Sequence, residues 1–311
     1  MINLAEILVF VTAAEEMSFS KAANRLHLSQ SAVSQNIQSL ERNYGVSLFL
    51  RMGRTIQLSQ EGVNILPFAR ELLRSARVCE DHFQNSQEEL VGSINIACAT
   101  TSGNYFLPNI LAAFQKMYPK VRTVLNSKSR SFIIDAMVNQ NLDLGVIGRE
   151  INHRDLESCL IVEDRVILIV PPDHPWAIRN EINSEELNEQ PFIRRESSSG
   201  TFEVLYDSLK FHGIDPGKFN IISRLGDAEA VLMAVENGIG ITFISEMMAS
   251  RSLALGKVVK VKVTGVTIRQ PIYLVRNISN NSTLATNKLW EFIFDNRESL
   301  SQEFLSNLST L

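Results

Sequence analysis

The stretch MSFSKAANRLHLSQSAVSQNIQSLERNYGVSLFLR, from Met17 to Arg51, carries two successive helical patterns and decides the N-terminal fold. The second pattern predicts a helix that begins after Ser29, whose hydroxyl can accept a backbone N–H two or three residues on, and that ends at Gly45. Its apolar residues recur at helical spacing and predict a buried face, formed by Val33, Ile37 and Leu40. Serine and glutamine side chains occupy the opposite face, which therefore points to solvent or to a partner.

The elements around this helix complete a small domain. Apolar residues near the N-terminus predict a first helix that ends near Glu16, and Ser18 or Ser20 can cap a second one. After the third helix, VSLFLRMGRTIQLS predicts two short strands that meet at Met52-Gly53. Three helices followed by a two-stranded ribbon form a winged helix-turn-helix. We predict such a DNA-binding domain, rich in α-helix, over residues 1–59.

Charge is distributed unevenly along the chain. The formal net charge is −4 overall, yet the segment from Met17 to Ser59 contains five cations and one anion, Glu41. The cations of this segment are Lys21, Arg25, Arg42, Arg51 and Arg54. The asymmetry indicates a small polyanion-binding module attached to an acidic body.

A long helical pattern runs from Gln60 to about Leu90. Pro67 should bend or break it locally, because proline lacks a backbone N–H. Apolar residues at intervals of three and four predict a coiled-coil-like seam for dimerisation, formed by Leu66, Ala69, Leu73, Ala76 and Phe83. One small domain cannot cover such a seam, so we predict that residues 60–90 form a linker helix that binds a second copy of the chain.

From Ser93 onward, predicted strands and helices alternate. Several strands are continuous apolar runs, which is typical of a sheet buried on both faces. The predicted strands are SINIACAT, KVRTVLN, LDLGVIG, RVILIVPP, QPFIRR, FNIIS, GITFIS, KVVKVKV and QPIYLVR. The helices between them are Tyr105–Tyr118, Phe132–Asn139, Thr201–His212, Ala228–Glu236 and Leu284–Phe294. This alternation predicts an α/β body over residues 91–311.

The quoted stretch resembles the LysR-type bacterial transcriptional regulators. Members of that family typically have S-F-x-x-A-A-x-x-L-x-x-S-Q-x-A-V-S-x-x-I-x-x-L-E-x-x-x-G-x-x-L-F-x-R at this place, and the chain matches this pattern from Ser18 to Arg51. Less specific matches are Leu58-Ser59 before Gly62, Phe106-Leu107-Pro108 with Phe114 and Pro119, and Glu236-Asn237-Gly238-Ile239-Gly240. The resemblance therefore covers the whole length of the chain.

The resemblance implies a fold with three parts. These are an N-terminal winged helix-turn-helix, a dimerising linker helix, and an effector domain built like a periplasmic binding protein, with a small-molecule cleft between two α/β subdomains. It also implies that the chain passes between the subdomains twice, and we place these crossings near Glu163–Arg165 and Val266–Arg269. Subdomain I is then predicted to comprise residues 91–164 and 267–311, and subdomain II residues 165–266.

The polar face of the third helix is the predicted site of base recognition. In the major groove, adenine offers an acceptor and a donor side by side, which one amide side chain can pair bidentately, and hydroxyls pair with either kind of edge. The candidates for base contacts are Gln30, Ser31, Ser34 and Gln35, because the first half of such a helix approaches the base edges. The candidates for contacts with phosphates or the minor groove are Lys21, Arg25, Arg51 and Arg54.

Two hydroxyl-rich turns between a strand and a helix are the candidates for effector binding. In α/β sheets, ligands bind beyond the carboxyl ends of strands, where helix N-termini present N–H groups to anions. One such turn lies in each predicted subdomain, and the resemblance implies that ligands bind at these turns. The predicted effector-binding residues are Thr100, Thr101, Ser102, Arg149, Arg195, Ser199 and Thr201.

The second turn also indicates the class of effector. Its sequence, RESSSGT from Arg195 to Thr201, resembles the R-E-x-x-S-G-T turn of LysR-type regulators of sulfur or carbon assimilation. This resemblance implies a small anionic metabolite without naming one.

An enzyme is a weaker alternative. Ser18 and Lys21 fit the S-x-x-K motif of acylating serine enzymes, but neither the S-D-N nor the K-T-G partner motif is present in the sequence. The cysteines Cys79, Cys98 and Cys159 form no C-x-x-C pair, and the five histidines do not cluster. We therefore predict no catalytic residue, no metal site and no cofactor.

Two further alternatives use the same body. A solute-binding protein would fit the body alone, but a signal peptide is not evident and the first sixty residues are basic. A redox-sensing regulator would need a switch between Cys98 and Cys159, which lie far apart in the sequence. We expect a cytoplasmic regulator without a membrane segment, and the family resemblance implies dimers that pair into tetramers and contact with RNA polymerase.

Overall fold

The computed structural model describes residues 2–52, 55–84, 90–99, 101–139, 141–179, 181–195, 200–279 and 282–309. The chain divides into two compact units, one built mainly from residues 1–87 and the other mainly from residues 88–311. The first unit contains the basic segment, and the second contains the alternating strands and helices.

Three helices and a ribbon form the first unit, followed by a long helix. The elements are α1 (Leu4–Glu16), α2 (Phe19–Leu26), α3 (Gln30–Tyr44), β1 (Phe49–Met52), β2 (Thr55–Leu58) and α4 (Gln60–Gln84). Strands β1 and β2 pair antiparallel, with Phe49 opposite Leu58. The predicted winged helix-turn-helix architecture is therefore confirmed.

Local sequence signals fix the ends of these helices. Asn3 caps α1, and the hydroxyl of Ser18 accepts the backbone N–H of Lys21 at 3.3 Å to cap α2. Gly45 ends α3 with φ of +68°, a backbone conformation that glycine adopts without strain. The apolar face of α3 is buried as predicted, by Val33, Ile37 and Leu40.

Helix α4 continues through Pro67, so the proline does not break it there, although proline removes one backbone donor. Helix α4 differs from its prediction at its end. It is described as helix to Gln84, whereas the prediction extended to about Leu90, which is not helical. Residues 85–89 lie outside the described residues.

Ten strands and seven α-helices among the described residues belong to the second unit. The strands are β3 (Gly92–Cys98), β4 (Val121–Ser127), β5 (Leu144–Ile147), β6 (Leu156–Val170), β7 (Glu181–Ile182), β8 (Pro191–Arg195), β9 (Asn220–Leu225), β10 (Thr242–Ser245), β11 (Val259–Val263) and β12 (Ile268–Asn277). The helices are α5 (Thr101–Met117), α6 (Arg130–Val138), α7 (Pro175–Arg179), α8 (Gly200–Phe211), α9 (Ala228–Glu236), α10 (Glu246–Ala254) and α11 (Leu284–Ser309).

Most of these strands share one mixed sheet. Among the described residues, the strand order is β4-β3-β5-β12-β6-β11-β7, and β10 pairs with β6 beside this path. Strand β3 runs parallel to β4 and β5, while β12 runs antiparallel to β5 and β6. Strands β8 and β9 form a separate parallel pair.

Strands β6 and β12 carry the chain through both predicted crossings. They pair along their length, and Arg165 lies opposite Arg269, so the two predicted crossing points are neighbours in the sheet. The sequence predicted a strand only from Arg165, whereas β6 begins at Leu156. The missed half contains polar residues that are half-buried or exposed, which conceals its strand pattern.

A buried carboxylate fastens the crossing to α10. Asp164 is 2% exposed. Its oxygens accept the hydroxyl of Ser245 at 2.5 Å, the backbone N–H of Arg165 at 2.8 Å and the backbone N–H of Met247 at 3.4 Å. Because Ser245 also caps α10, this helix is attached directly to β6, the strand that passes through the first predicted crossing.

Apolar clusters fill both sides of the crossing. On one side, α5 and α11 cover the sheet with residues that include Phe106, Phe114 and Leu289. On the other, the clusters include Leu168, Phe192 and Val231. Helix α11 runs to Ser309, well beyond the predicted end at Phe294.

Candidate functional site

The exposed face of α3 carries two glutamines whose amides are available to a partner. The helix is capped by Ser29, whose Oγ accepts the backbone N–H of Ala32 at 3.1 Å. Gln30 and Gln35 are exposed, and neither side chain hydrogen-bonds to a residue that the structure describes. Because the opposite face is buried, both amides are held on the outside of the domain.

The two serines of this face have closer neighbours. The Oγ of Ser31 lies 2.9 Å from the Oγ of Ser29, and Ser34 is half-buried. A hydroxyl can donate one hydrogen bond and accept others, so Ser31 keeps capacity for a further partner. All four predicted base-contacting residues therefore lie on α3, with the glutamines the more accessible pair.

Glu41 joins α3 to the ribbon. Its Oε1 accepts the backbone N–H of Leu48 at 2.7 Å and that of Phe49 at 3.3 Å. The ring of Phe49 packs edge-on against those of Phe10 and Phe19, with centroids 5.7 and 5.4 Å apart. The ribbon therefore starts from a fixed position beside the helix, a positioning role for Glu41 that sequence reasoning missed.

Two predicted phosphate-contacting cations have different surroundings. Lys21 is exposed and makes no ion pair within the described part of the chain. The Nη1 of Arg25 lies 2.9 Å from Glu15 Oε2 and 3.1 Å from Glu16 Oε1. Partial burial lowers the pKa of Arg25, but the two carboxylates outweigh this effect and the pKa is raised. Arg25 must therefore exchange carboxylates for phosphate if it contacts DNA.

The two ribbon arginines are described only in part. The backbone of Arg51 pairs with Ile56 across the ribbon. The side chain of Arg51 and the whole of Arg54 lie outside the described residues. Strand β1 ends at Met52 and β2 begins at Thr55, so Arg54 belongs to the connection between them.

The residues of the predicted dimer seam on α4 differ in how far they are buried within the chain. Ala69 is 3% exposed and belongs to the core of the first unit, and Leu66 and Leu73 pack against that core. Ala76 is half-buried, while Phe83 is 76% exposed. The methyl group of Ala69 is covered within the chain, so the structure removes it from the surface offered to a second copy.

The first hydroxyl-rich turn connects β3 to α5. Thr101 and Ser102 open the helix, but their side chains and the whole of Thr100 lie outside the described residues. Strand β5 runs parallel to β3, and Arg149 follows its end. Because carboxyl ends of parallel strands meet at the same edge of a sheet, the start of α5 and Arg149 share that edge.

The second hydroxyl-rich turn connects β8 to α8. Strand β8 ends at Arg195 and α8 begins at Gly200. Ser199 and the side chain of Thr201 lie outside the described residues. Arg195 is half-buried, and its Nε donates to the carbonyl oxygen of Gly226 at 3.5 Å.

Besides the hydrogen bond of Ser245 with Asp164, two more side-chain contacts among the described residues join predicted subdomain I to predicted subdomain II, and sequence reasoning missed both. The Nη2 of Arg149 lies 2.7 Å from Asp207 Oδ2 on α8. The hydroxyl of Tyr105 on α5 donates to Glu229 Oε1 on α9 at 2.9 Å. These partners are 58 and 124 residues apart in the sequence, so no local pattern could reveal them.

Tyr105 remains a hydrogen-bond donor over a wide pH range. Burial raises its pKa to about 12, with further contributions from the hydrogen bond to Glu229 and from the charges of Glu229 and Asp227. The phenol is therefore protonated at neutral pH. Tyr105 also packs against the apolar cluster of subdomain II, so this contact has both a polar and an apolar part.

Two of the three cysteines, Cys98 and Cys159, have surroundings that do not favour redox chemistry, whereas Cys79 is exposed. Cys98 is buried, and burial raises the pKa of the half-buried Cys159 thiol, which lowers its fraction of reactive thiolate. Among the residues that the structure describes, no three potential metal ligands form a group. Within the same residues, no helix has both the length and the apolar character to cross a membrane.

Comparison with known protein families accounts for both units. Residues 4–63 match the bacterial regulatory helix-turn-helix protein of the lysR family, and residues 87–297 match the LysR substrate binding domain. The chain belongs to the LysR family. This LysR-type protein is a DNA-binding transcriptional regulator with an effector-binding domain, which confirms the predicted fold class and function.

Individual relatives agree with this assignment. The probable RuBisCO transcriptional regulator of Porphyra purpurea is 32% identical to this LysR-type chain and covers 98% of it, over 93% of its own length. Full-length CbnR, solved with its target DNA, superposes with a TM-score of 0.67 at 19% identity, covering 96% of this chain and 100% of that chain. The regulatory domain of CcmR from Synechocystis PCC6803, solved with 2-PG, has a TM-score of 0.60 at 23% identity, covering 67% of this chain and 98% of that chain.

Proposed function

We propose that this regulator recognises its operator through the amides of Gln30 and Gln35, assisted by Ser31 and Ser34. The observation that carries the proposal is the exposure of both amides in the first half of a helix whose other face is buried. An amide can pair with adenine bidentately in the major groove. CbnR, which has the same fold, was solved on its target DNA.

The backbone contacts are proposed separately, because they add affinity without sequence preference. Lys21 is the cation whose present surroundings favour phosphate binding most. Arg51 and Arg54 extend the same role to the ribbon, which enters or borders the minor groove. Arg25 remains a candidate that must first leave Glu15 and Glu16.

Substitution of Gln35 tests the base contact. Gln35→Ala should weaken binding to the cognate operator by about 1–3 kcal/mol and leave binding to random DNA nearly unchanged. Fluorescence anisotropy with both duplexes at one salt concentration measures the two effects. Gln38→Ala is the matched control, since Gln38 is an exposed amide on the same helix, one turn further from its start. Equal losses on the two duplexes would remove Gln35 from base recognition.

We also propose that the effector is a small anion bound between subdomains I and II. Two helices, α5 and α8, begin just after the carboxyl ends of β3 and β8, where helix N-termini stabilise anions. Arg149 and Arg195 add positive charge at the carboxyl ends of β5 and β8. The hydroxyls proposed to complete the site are those of Thr100, Thr101, Ser102, Ser199 and Thr201.

The relatives narrow the class of anion. The Porphyra purpurea relative is named as a RuBisCO regulator, and the CcmR domain was solved with 2-PG, which is 2-phosphoglycolate. We propose a small phosphorylated or carboxylated metabolite, linked to carbon assimilation. A ligand with both a phosphate and a carboxylate, such as 2-phosphoglycolate, carries anionic oxygens at both ends and can engage one turn of each subdomain.

A melting experiment tests this anion site. Inorganic phosphate and 2-phosphoglycolate are added separately to the full chain, since a ligand that binds only the folded state raises its melting temperature. The double variant Thr100→Ala/Thr201→Ala should lose most of any shift. Arg179→Gln is a control, because Arg179 pairs with Glu186 in another part of subdomain II. A shift that survives the double variant would place the anion elsewhere.

The remaining partners are proposed from the family. We propose that α4 joins two chains, that dimers associate into tetramers, and that the operator-bound assembly contacts RNA polymerase in the cytoplasm. On α4, Leu66, Leu73, Ala76 and Phe83 stay in the proposed interface, together with Phe68, which is 72% exposed.

A further inference from the structure

Subdomain II contains a partly open cavity of about 70 Å³. Its walls come from β8, β9 and β10 and from the facing sides of α8 and α9. A cavity needs only about 10–15 Å³ to hold one water molecule. This cavity therefore has room for a small organic molecule.

Apolar and aromatic side chains make up most of the wall. Phe192 stacks on Phe219 with ring centroids 4.4 Å apart and planes 11° from parallel. The centroid of the Phe243 ring lies 6.2 Å from that of Phe192, and the two planes are 17° from parallel. Leu205 on α8 and Ile221 on β9 face the same space. Aromatic rings in such an arrangement present faces and edges to another ring.

Two hydroxyls in the wall, those of Thr242 and Ser245, already have partners inside the protein. Thr242 Oγ1 donates to the carbonyl oxygen of Ile193 at 2.8 Å, and Ser245 Oγ donates to Asp164 at 2.5 Å. Arg194 and Arg195 border the cavity and also interact with other parts of the chain. Water inside would find few hydrogen-bonding groups, and such sites favour apolar molecules.

We propose that this cavity is a second ligand site, for a small uncharged ring or branched hydrocarbon. It adjoins the proposed anion site, because Arg195 borders both, but it is a different space whose wall is formed by subdomain II alone. Ser245 connects it to the rest of the body, since this residue lines the cavity, caps α10 and binds Asp164 at the crossing of β6. Occupancy of the cavity therefore acts on the strand that joins the two subdomains.

The test uses the full chain with toluene and indole as apolar probes. Either probe should raise the melting temperature by on the order of 2 °C when it saturates the site. Ile221→Phe fills the cavity and should abolish this shift. Ile222→Phe is the matched control, because Ile222 is the next residue on β9, is half exposed and does not line the cavity. It should keep the shift.

Other outcomes separate this site from the anion site. The Ile221→Phe variant should retain its response to 2-phosphoglycolate, whatever that response is in the unaltered chain. Benzoate, which is charged, should bind more weakly than toluene. If benzoate binds more strongly than toluene and competes with phosphate, aromatic ligands bind in the anion cleft, and the proposal is overturned. An unchanged toluene shift in Ile221→Phe would also overturn it.

Two measurements keep the proposal testable if Ile221→Phe does not fold. Leu205→Phe fills the cavity from the α8 side, and Leu205 is half-buried, which leaves room to adjust. A crystal of the unaltered chain soaked in bromobenzene should show anomalous bromine density between Phe192 and Ile221. Bromine density elsewhere only, or none, would contradict a site in this cavity.

Discussion

Gly62 shows how one residue fixes the position of the ribbon. A Cβ added to Gly62 would lie 2.2 Å from the carbonyl oxygen of Leu48, which itself accepts the backbone N–H of Ser59 at 2.9 Å. The N–H of Gly62 donates to the Oγ of Ser59, also at 2.9 Å. Even one added methyl group must therefore push α4 away from the base of the ribbon.

Replacement of Gly62 by alanine should lower the free energy of unfolding by about 1–3 kcal/mol, because the added methyl group overpacks the contact. Helix propensity alone would make the alanine variant more stable, by up to about 1 kcal/mol. A loss of stability would therefore show that the close contact with Leu48 outweighs helix propensity. Urea denaturation of the full chain, followed by helical circular dichroism, measures the change. Glu61→Ala, at an exposed neighbouring position, should be nearly neutral. A more stable Gly62→Ala protein would contradict this account.

Individual residues were predictable where their partners are close in the sequence. Ser29 caps α3 through an N–H three residues away, and Val33 is buried through helical spacing alone. Arg25 was predicted to contact phosphate, but the carboxylates beside it come from the end of another helix. The sequence match to the family includes Gly62, but it does not show why a glycine is needed there. The reason is the carbonyl oxygen of Leu48, which approaches Gly62 only in the folded domain.

At the scale of elements, α4 shows what periodicity leaves undecided. Spacing by three and four predicted a long apolar seam, and the helix is present. Periodicity does not say which surface covers each part of the seam. Here α1 and its neighbours cover Ala69, while Phe68 and Phe83 are 72% and 76% exposed. The surface proposed for a second chain therefore includes Phe68, which lies beside the predicted seam, as well as Phe83, which belongs to it.

Phe68→Glu tests this surface. A buried aromatic anchor commonly contributes about 2 kcal/mol or more to an interface, so the dimer dissociation constant should rise at least tenfold. Sedimentation equilibrium of the full chain measures it. Ala69→Glu is a contrasting variant, which should lower the melting temperature because it places a carboxylate in the core of the first unit. An unchanged dimer constant in Phe68→Glu, with an intact fold, would place the interface elsewhere.

At the scale of the whole molecule, the sequence predicted two subdomains, and in the structure one sheet contains strands from both predicted segments. Runs such as RVILIVPP predicted separate strands, but the paired strands β6 and β12 continue through the crossing. The continuity was hidden because the first half of β6 is partly exposed and polar. Contacts between the subdomains, such as Arg149 with Asp207, depend on this arrangement and have no signature in the sequence.

The ion pair of Arg149 and Asp207 should compete with the effector, if the proposed anion site is the one that binds it. Asp207 holds the guanidinium of Arg149 at 2.7 Å, so an anionic effector must displace this carboxylate before it binds Arg149. An exposed ion pair contributes about 0–1 kcal/mol. Asp207→Asn should therefore increase the affinity for 2-phosphoglycolate by up to about fivefold.

Isothermal titration of the full chain at low and at high salt measures this gain. The gain should shrink at high salt, because both charges of the pair are exposed and ions screen them. Asp173→Asn is the charge-matched control, since Asp173 is exposed and makes no ion pair with the described residues, and it should leave the affinity nearly unchanged. Weaker binding of 2-phosphoglycolate by Asp207→Asn would show that Asp207 supports the site and does not compete with the effector. An equal gain in affinity in both variants would show that only the change in net charge matters, because competition for Arg149 is specific to Asp207.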